Sequence, residues 1–299
     1  DLNSTGEYTQ GAGAIAMLIT AEPRILSFSN EVGVSTQGVF DFFKPRRTVS
    51  KEALQLDHNP EWYGVLESEI AIYKEQPVFD GQYSNQCYIN RISDAYEHFK
   101  KESKQSAKVY ENWSAVLMHL PYCFQGRRTF IEIFANENPN LVEQQLGETS
   151  KDKIKALAKS PEYIQLIAEK IVPSEIASGQ IGNIYTGSIF LGLISTLCYH
   201  AQENTQLENK KVGFIAYGSG SKSKVFEATV AKKWKNQIQK NPIIQTLDNC
   251  QAIDFVTYEK LHKKELKQSV LKPSNEFVLK TIEKENPVLV GARYYEFIK

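Results

Sequence analysis

The sequence predicts an α/β layer fold, and three observations carry that prediction. Segments with a 3.6-residue apolar period alternate with short apolar runs of strand length. One long segment, Ile184–Tyr199, is apolar on nearly every side, the pattern of a buried helix rather than a surface one. The order helix, strand, helix, helix, strand, strand then implies layers of helix packed on sheet.

The elements follow in order. Gly11-Ala-Gly-Ala-Ile-Ala-Met-Leu-Ile19 is apolar and built of small residues, the composition of a strand inside a sheet covered on both faces. The segment is therefore read as the end of a domain. From Arg46 to Gln76 the chain is mixed and charged, with Asp57-His-Asn-Pro60 and Glu61-Trp-Tyr63. That stretch, 46–76, reads as an insertion, a surface excursion with a short helix near Leu66–Tyr73. Tyr83–Ser103 carries Tyr88, Ile92, Ala95, Tyr96 and Phe99 at helical spacing. Val116–Leu120 is a strand, Arg127–Phe134 a helix, and Lys151–Ile171 further helix broken at Ser160-Pro161. Val212–Tyr217 and Lys224–Val230 are strands on either side of Gly218-Ser219-Gly220, and Pro287–Lys299 is a closing strand.

Composition narrows the function. With 299 residues and 41% apolar content the chain can bury a sizeable core. Its 35 basic residues equal its 35 acidic ones, so it has no excess of cations for a nucleic acid. No apolar run approaches the ~20 residues of a membrane span, and no basic-then-apolar leader opens the sequence. Cys87, Cys123, Cys198 and Cys250 stand far apart without a CxxC pair, as reduced thiols of a cytoplasmic protein do.

Three features concentrate polar groups at element ends. His119 ends the strand Ala115-Val-Leu-Met-His119 and precedes Leu-Pro-Tyr-Cys123. A lone histidine there is at least as often a hydrogen-bonded core residue as a functional one. A neutral imidazole at a strand end can also donate to a developing oxyanion. Asn183 opens the apolar helix and is either an N-cap or a ligand donor. Gly218-Ser219-Gly220 is a tight turn. Its extension to Lys224 lacks the Gly-Lys-Ser/Thr ending of a phosphate loop and leads into a strand. His119 and Cys123 have no further ligands near them, so a zinc site is not expected.

Together these segments resemble the 3-hydroxy-3-methylglutaryl-CoA (HMG-CoA) synthases of the thiolase superfamily. The resemblance rests on Gly6–Ile19, Asp41-Phe-Phe-Lys-Pro45, Asp80-Gly-Gln-Tyr-Ser84 with Gln86-Cys-Tyr88, and Met118-His-Leu-Pro-Tyr122. It is strongest in Gly182-Asn-Ile-Tyr-Thr-Gly-Ser188, Leu191-Gly-Leu-Ile-Ser195 and Phe214-Ile-Ala-Tyr-Gly-Ser-Gly220. It implies a thiolase-like layered αβαβα fold, of which this chain holds the last strands of the N-terminal half in residues 1–30 and the whole C-terminal half in residues 31–299. It also implies an acyltransferase that condenses acetyl-CoA with acetoacetyl-CoA through an acetyl-cysteine. His119 and Asn183 are then the catalytic pair on the acetoacetyl carbonyl. Ser219, Gly218 and Tyr185 line the acyl group, and Arg127 and Arg128 are either CoA-phosphate ligands or solvated charges. Coenzyme A thioesters are substrates, no cofactor or metal is required, and a homodimer is expected.

The chain departs from the family in two respects. The family cysteine and glutamate lie upstream of the Gly11–Ile19 strand, so the isolated chain is expected to be inactive without that segment. Phe124 stands where the family tends to carry a lysine available to the coenzyme. Two other readings stay open: a non-catalytic acyl-CoA-binding or partner subunit, and a polyketide β-branching synthase whose acceptor is an acyl-carrier-protein thioester.

Overall fold

The computed structural model describes residues 2–4, 6–54, 69–73, 77–106, 108–266 and 268–299. The chain divides into two compact units, Thr5–Phe43 with Phe79–Cys250, and Asp1–Ser4 with Lys44–Val78 and Gln251–Lys299.

The larger unit is a four-stranded mixed sheet with helices on both faces. Its strands are β1 (Leu26–Thr36), β2 (Trp113–Met118), β3 (Lys211–Gly218) and β4 (Lys222–Val230), in the order β1-β4-β3-β2. β2 runs parallel to β3, and the other two pairings are antiparallel. Its main helices are α1 (Gly81–Glu102), α2 (Gln125–Glu137), α3 (Ser150–Leu157), α4 (Pro161–Lys170), α5 (Val172–Ile181) and α6 (Ser188–Gln202).

Alternation along the strands sorts the core into two clusters. Val116, Met118, Ile215 and Val225 face Tyr88, Ile92, Tyr96 and Phe99 of α1 and Phe130 and Phe134 of α2. Ala115, Leu117, Val212 and Phe214 face the other way, onto Ile189, Leu193 and Leu197 of α6. α1 forms because its apolar residues recur at helical spacing behind an Asp80 N-cap, whose carboxylate accepts from the Gln82 and Tyr83 N–H groups at 2.8 and 2.9 Å. Ser160 and Pro161 divide α3 from α4 as expected, with Ser160 capping the second helix through the Tyr163 N–H. At the far end of the sheet Trp113 is fully buried, and its indole N–H donates to Glu227 at 2.8 Å. The ring lies over Gly213, where an added Cβ would come within 2.0 Å of it.

Several expectations are corrected. Gly11–Ile19 forms no strand: beyond one bridge between Gln10 and Asn183 it is unpaired among the described residues, and Leu18 and Ile19 are 78% and 93% exposed. Its small apolar residues suit a covered strand, but a strand needs hydrogen-bonding neighbours, and in the described structure it has only that bridge. In the smaller unit, Glu69–Tyr73 is a strand antiparallel to Arg46–Ser50, not part of a helix. Ile70 and Ile72 alternate with Glu69 and Ala71, which is strand spacing. Residues 55–68, with Asp57–Pro60 and Glu61–Tyr63, lie outside the described residues. The C-terminal strand is shorter than expected, Arg293–Ile298, because turns occupy the chain up to Gly291, whose φ is +89°. It pairs with Glu276–Ile282 in a two-stranded sheet.

α1 docks closely on β1 at Gly33, where a Cβ would lie 2.1 Å from the Ala95 carbonyl oxygen and 2.4 Å from the Phe99 nitrogen. Both obstacles are helix backbone and cannot swing aside. Gly33→Ala should therefore destabilise the protein by about 3 kcal/mol, measured as a shift in the urea unfolding midpoint; an unchanged midpoint would mean α1 can lift from β1 freely.

Candidate functional site

The end of β2 is where the sequence-selected residues begin to converge. The β2 ladder carries on into His119, whose N–H donates to the Ile215 carbonyl at 3.3 Å. The same alternation that sends Met118 toward α1 sends His119 toward the start of α6. There its Nδ1 meets Ser188 Oγ at 2.6 Å, and the same oxygen accepts from the Leu120 N–H at 3.2 Å. Ser188 is fully buried. With one lone pair taken by Leu120, the hydroxyl proton is free to go to Nδ1, which assigns the ring proton to Nε2. Burial lowers the His119 pKa from 6.5 to about 4, against a smaller opposing effect of the Tyr185 carbonyl beside the ring. The imidazole is therefore neutral at physiological pH.

The turn before α6 is built to meet that ring. Gly182 has φ +88°, and a Cβ there would lie 2.9 Å from the Gln10 carbonyl oxygen. Asn183 is buried, exchanges backbone hydrogen bonds with Thr9 and Gly11, and takes the Tyr185 N–H on Oδ1 at 2.7 Å. The expectation that Asn183 caps the long helix is corrected: it stands ahead of a short 3₁₀ turn, Tyr185–Gly187, whose first N–H it accepts, and α6 begins behind Gly187 without a side-chain cap. Tyr185 itself adopts φ +54°, a conformation disfavoured for a side chain of its size. Among the described residues no acceptor takes the Asn183 Nδ2 donors.

Gly218, Ser219 and Gly220 leave β3 at the same end of the sheet and are exposed. Their loop is anchored by a residue to which sequence reasoning gave no role, Asp41. Its carboxylate is completely buried, accepts from the Gly220 N–H at 2.7 Å, and takes the Tyr217 hydroxyl. The Tyr217 pKa is raised by burial and by that carboxylate. Tyr217 packs on Tyr88, with ring centroids 4.5 Å apart, and the Tyr88 hydroxyl donates to the His119 carbonyl at 2.7 Å. The glycine loop and the imidazole are thus held by one connected set of contacts. Ser188 was visible only as the last residue of a motif, and Asp41 as the first of another; neither pairing has a local signal.

Arg127 and Arg128 are not gathered with this group. Arg127 forms a two-point ion pair with buried Glu175 and stacks over Phe124 at 4.7 Å. Arg128 donates to the Tyr122 hydroxyl at 2.6 Å. Both line an open cleft of about 620 Å³ between α2, α3 and α4, which none of His119, Asn183 and Ser219 lines. The buried partner Glu175 makes Arg127 in large part a structural cation. Of the cysteines, Cys87 lies within α1 and Cys198 within α6, both buried, and Cys250 is exposed. Half-buried Cys123 comes nearest a helix start, one residue ahead of the Phe124 N-cap of α2. Among the described residues no three His, Cys, Asp or Glu side chains gather as metal ligands would, and no helix is long and apolar enough to cross a membrane.

Two expected outcomes follow from this geometry. The His119 ring signals, followed by NMR, should titrate with a midpoint near 4. Because the unfolded chain binds this proton first, His119 contributes stability that is complete above about pH 6.5 and is lost as pH falls toward 4. A midpoint near 6.5 would mean water reaches the ring. Asp41→Ala leaves the Tyr217 hydroxyl and the Gly220 N–H without their acceptor and should lower unfolding stability by about 2–4 kcal/mol. A loss within the error of a denaturation curve would show that the loop needs no anchor.

Comparison with known proteins identifies the family and the fold. The family profile described as hydroxymethylglutaryl-coenzyme A synthase C terminal matches residues 66–280. A hydroxymethylglutaryl-CoA synthase of Enterococcus faecalis is 28% identical over 258 residues, covering 86% of this chain and 53% of the relative. That of Haloferax volcanii is 24% identical over 320 residues, covering 98% of this chain and 64% of the relative. The chain thus spans between about half and two thirds of these relatives' length. The fold is that of MvaS in complex with 3-hydroxy-3-methylglutaryl coenzyme A, with a TM-score of 0.73 at 23% identity over 100% of this chain and 64% of that one. It also matches the HMG synthase of the curacin biosynthetic pathway, with a TM-score of 0.64 at 17% identity over 92% of this chain and 59% of that one. The fold is accordingly thiolase-like, and the chain belongs to the hydroxymethylglutaryl-CoA synthase family.

Proposed function

We propose that this chain supplies the carbonyl-polarising side of an HMG-CoA synthase site. In that reaction a cysteine thiolate takes the acetyl group from acetyl-CoA, and a glutamate removes a proton from its methyl. The carbanion adds to C3 of acetoacetyl-CoA, and water cleaves the enzyme thioester to release HMG-CoA. No residue of this chain is given the part of that cysteine or that glutamate. His119 donates through Nε2–H to the acceptor carbonyl, where negative charge develops as the new bond forms, and Asn183 adds a donor through Nδ2. The Ser219 backbone N–H serves the acyl-thioester oxygen.

The observation that carries this reading is the contact of His119 Nδ1 with buried Ser188 Oγ, which leaves Nε2–H as the ring's donor; burial, which lowers the pKa, supports a neutral ring. A donor held in place at a partly buried position pays less reorganisation as the oxyanion forms than the same donor in water. A second reading has its own support. Phe124, 49% exposed at the start of α2, offers no cation to a coenzyme, and the fold is shared with a curacin-pathway HMG synthase described in complex with a holo donor-ACP. Under that reading the thioester is presented by a carrier protein and not by CoA.

The test uses His119→Ala in the natural protein that carries this chain. Condensation with the acceptor should fall by roughly 10²–10³ while acetyl transfer from acetyl-CoA changes little. Equal loss in both half-reactions would refute the polarising role. Running the reaction with CoA and with carrier-protein thioesters, first as acetyl donor and then as acetoacetyl acceptor, separates the two readings.

A further inference from the structure

The segment after the glycine loop, Ser221-Lys222-Ser223-Lys224, has no part in the function described so far. β4 begins there, and its alternation is strict. Ser223 is buried and Val225 belongs to the core cluster under α1. Phe226, Ala228 and Val230 belong to the opposite cluster, under α6. Lys222 and Lys224 therefore stand on the α6 face of the sheet, the face onto which His119 points, and both are exposed.

The strand register fixes their position. Met118 pairs with Ile215, so His119 comes level with Ala216, and Ala216 pairs directly with Lys224. His119, Ala216 and Lys224 form one row across three strands. Adjacent strands lie about 4.8 Å apart, which puts the His119 and Lys224 backbones on the order of 10 Å apart. Between them is only a methyl group, so a lysine stem lying along the sheet brings its ammonium toward the imidazole. One level further out Lys222 pairs with Gly218, which has no side chain and nothing within 4 Å of where one would be. Below the row Phe226 stacks on Phe214 with centroids 4.8 Å apart, and Phe28 beside them is 54% exposed, an apolar floor. Lys211 on β3 is neutralised by Glu227, whereas Lys222 and Lys224 form no ion pair among the described residues.

We propose that Lys224, with Lys222 behind it, is the recognition site for a carboxylate carried on the acyl chain of the thioester substrate or product. This rests on the reading of His119 as the group that holds the acyl carbonyl. With a carbonyl on Nε2, a carboxylate a few bonds further along the same acyl chain falls within reach of Lys224. The phosphates of a CoA or carrier arm lie at the other end of the pantetheine chain and do not. Two acyl groups present such a carboxylate, an acceptor that already carries one and the product, in which hydrolysis of the enzyme thioester leaves one.

Equilibrium binding to the natural protein tests this without requiring turnover, so its outcome is separate from that of the condensation assay. The acceptor arm compares 3-oxoadipyl-CoA with its uncharged analogue 3-oxohexanoyl-CoA. The product arm compares HMG-CoA with 3-hydroxy-3-methylbutanoyl-CoA. In at least one arm the carboxylated ligand should bind roughly tenfold more tightly, and Lys224→Met should bring that ratio close to one. Lys224→Glu should invert it. The arm that responds identifies the source of the carboxylate. No preference in either arm, or an equal loss for charged and uncharged ligands, would overturn the proposal; the second result would assign the lysines to the phosphates common to all four.

Discussion

The buried hydroxyl of Ser188 is the contact on which the rest of the site depends. One oxygen joins the end of β2 to the beginning of α6, accepting from the Leu120 N–H and meeting His119 Nδ1. A hydrogen bond between neutral groups contributes only about 1 kcal/mol net, but a buried group left without a partner costs about 1–3 kcal/mol. In a position shut off from water, no solvent molecule can replace this hydroxyl. The desolvation that makes the hydroxyl irreplaceable also holds the His119 pKa near 4. Orientation and neutrality of the ring therefore have one cause, its placement between a strand end and a helix start.

Sheet geometry extends that placement outward. Side chains alternate along a strand, so the register that sends Met118, Ile215 and Val225 into the core under α1 sends His119, Ala216 and Lys224 to the other face. A slip of one residue in β3 against β4 would exchange those sets. The register is held by pieces that tolerate little change. Trp113 lies over Gly213 and is tied to Glu227, and Gly33 admits the α1 backbone against β1. These contacts are distant from the imidazole, yet each fixes a strand on which the row of His119, Ala216 and Lys224 depends.

Much of the framework is legible in the sequence because it is local. Helical spacing marks α1, a run of apolar residues marks β2 and α6, and Ser160-Pro161 marks the break between α3 and α4. His119 and Gly218–Gly220 are legible as element ends. The partners of those ends are not. Ser188 is 69 residues from His119, Asp41 is 176 from Tyr217, and Glu175 is 48 from Arg127. Nothing in the spacing of a hydroxyl or a carboxylate announces what it will meet across the fold. Arg127 shows the consequence: read alone it is a free cation, and folded it is largely taken up by a buried carboxylate. Gly11–Ile19 shows the converse, a pattern that specifies a strand in a segment that has almost no hydrogen-bonding partner in the described structure.

Asn183 illustrates how one side chain can meet two demands that seem exclusive. A residue consumed as a cap would be lost to a substrate, and a free amide would leave the turn before α6 unsupported. The two ends of the amide separate these roles. The Tyr185 N–H is a donor and can only be met by Oδ1, which fixes the amide orientation and turns Nδ2 away from the backbone. The same bond supports the left-handed φ of Tyr185, an arrangement that costs on the order of 1 kcal/mol for a residue with a side chain. That conformation puts the Tyr185 carbonyl beside the His119 ring. Replacing Asn183 by aspartate would keep the turn and remove the donor, whereas replacing it by alanine would remove both. The local strain at Tyr185 is thus tied to the position of the imidazole, and the turn that bears it also fixes which end of the Asn183 amide is left as a donor.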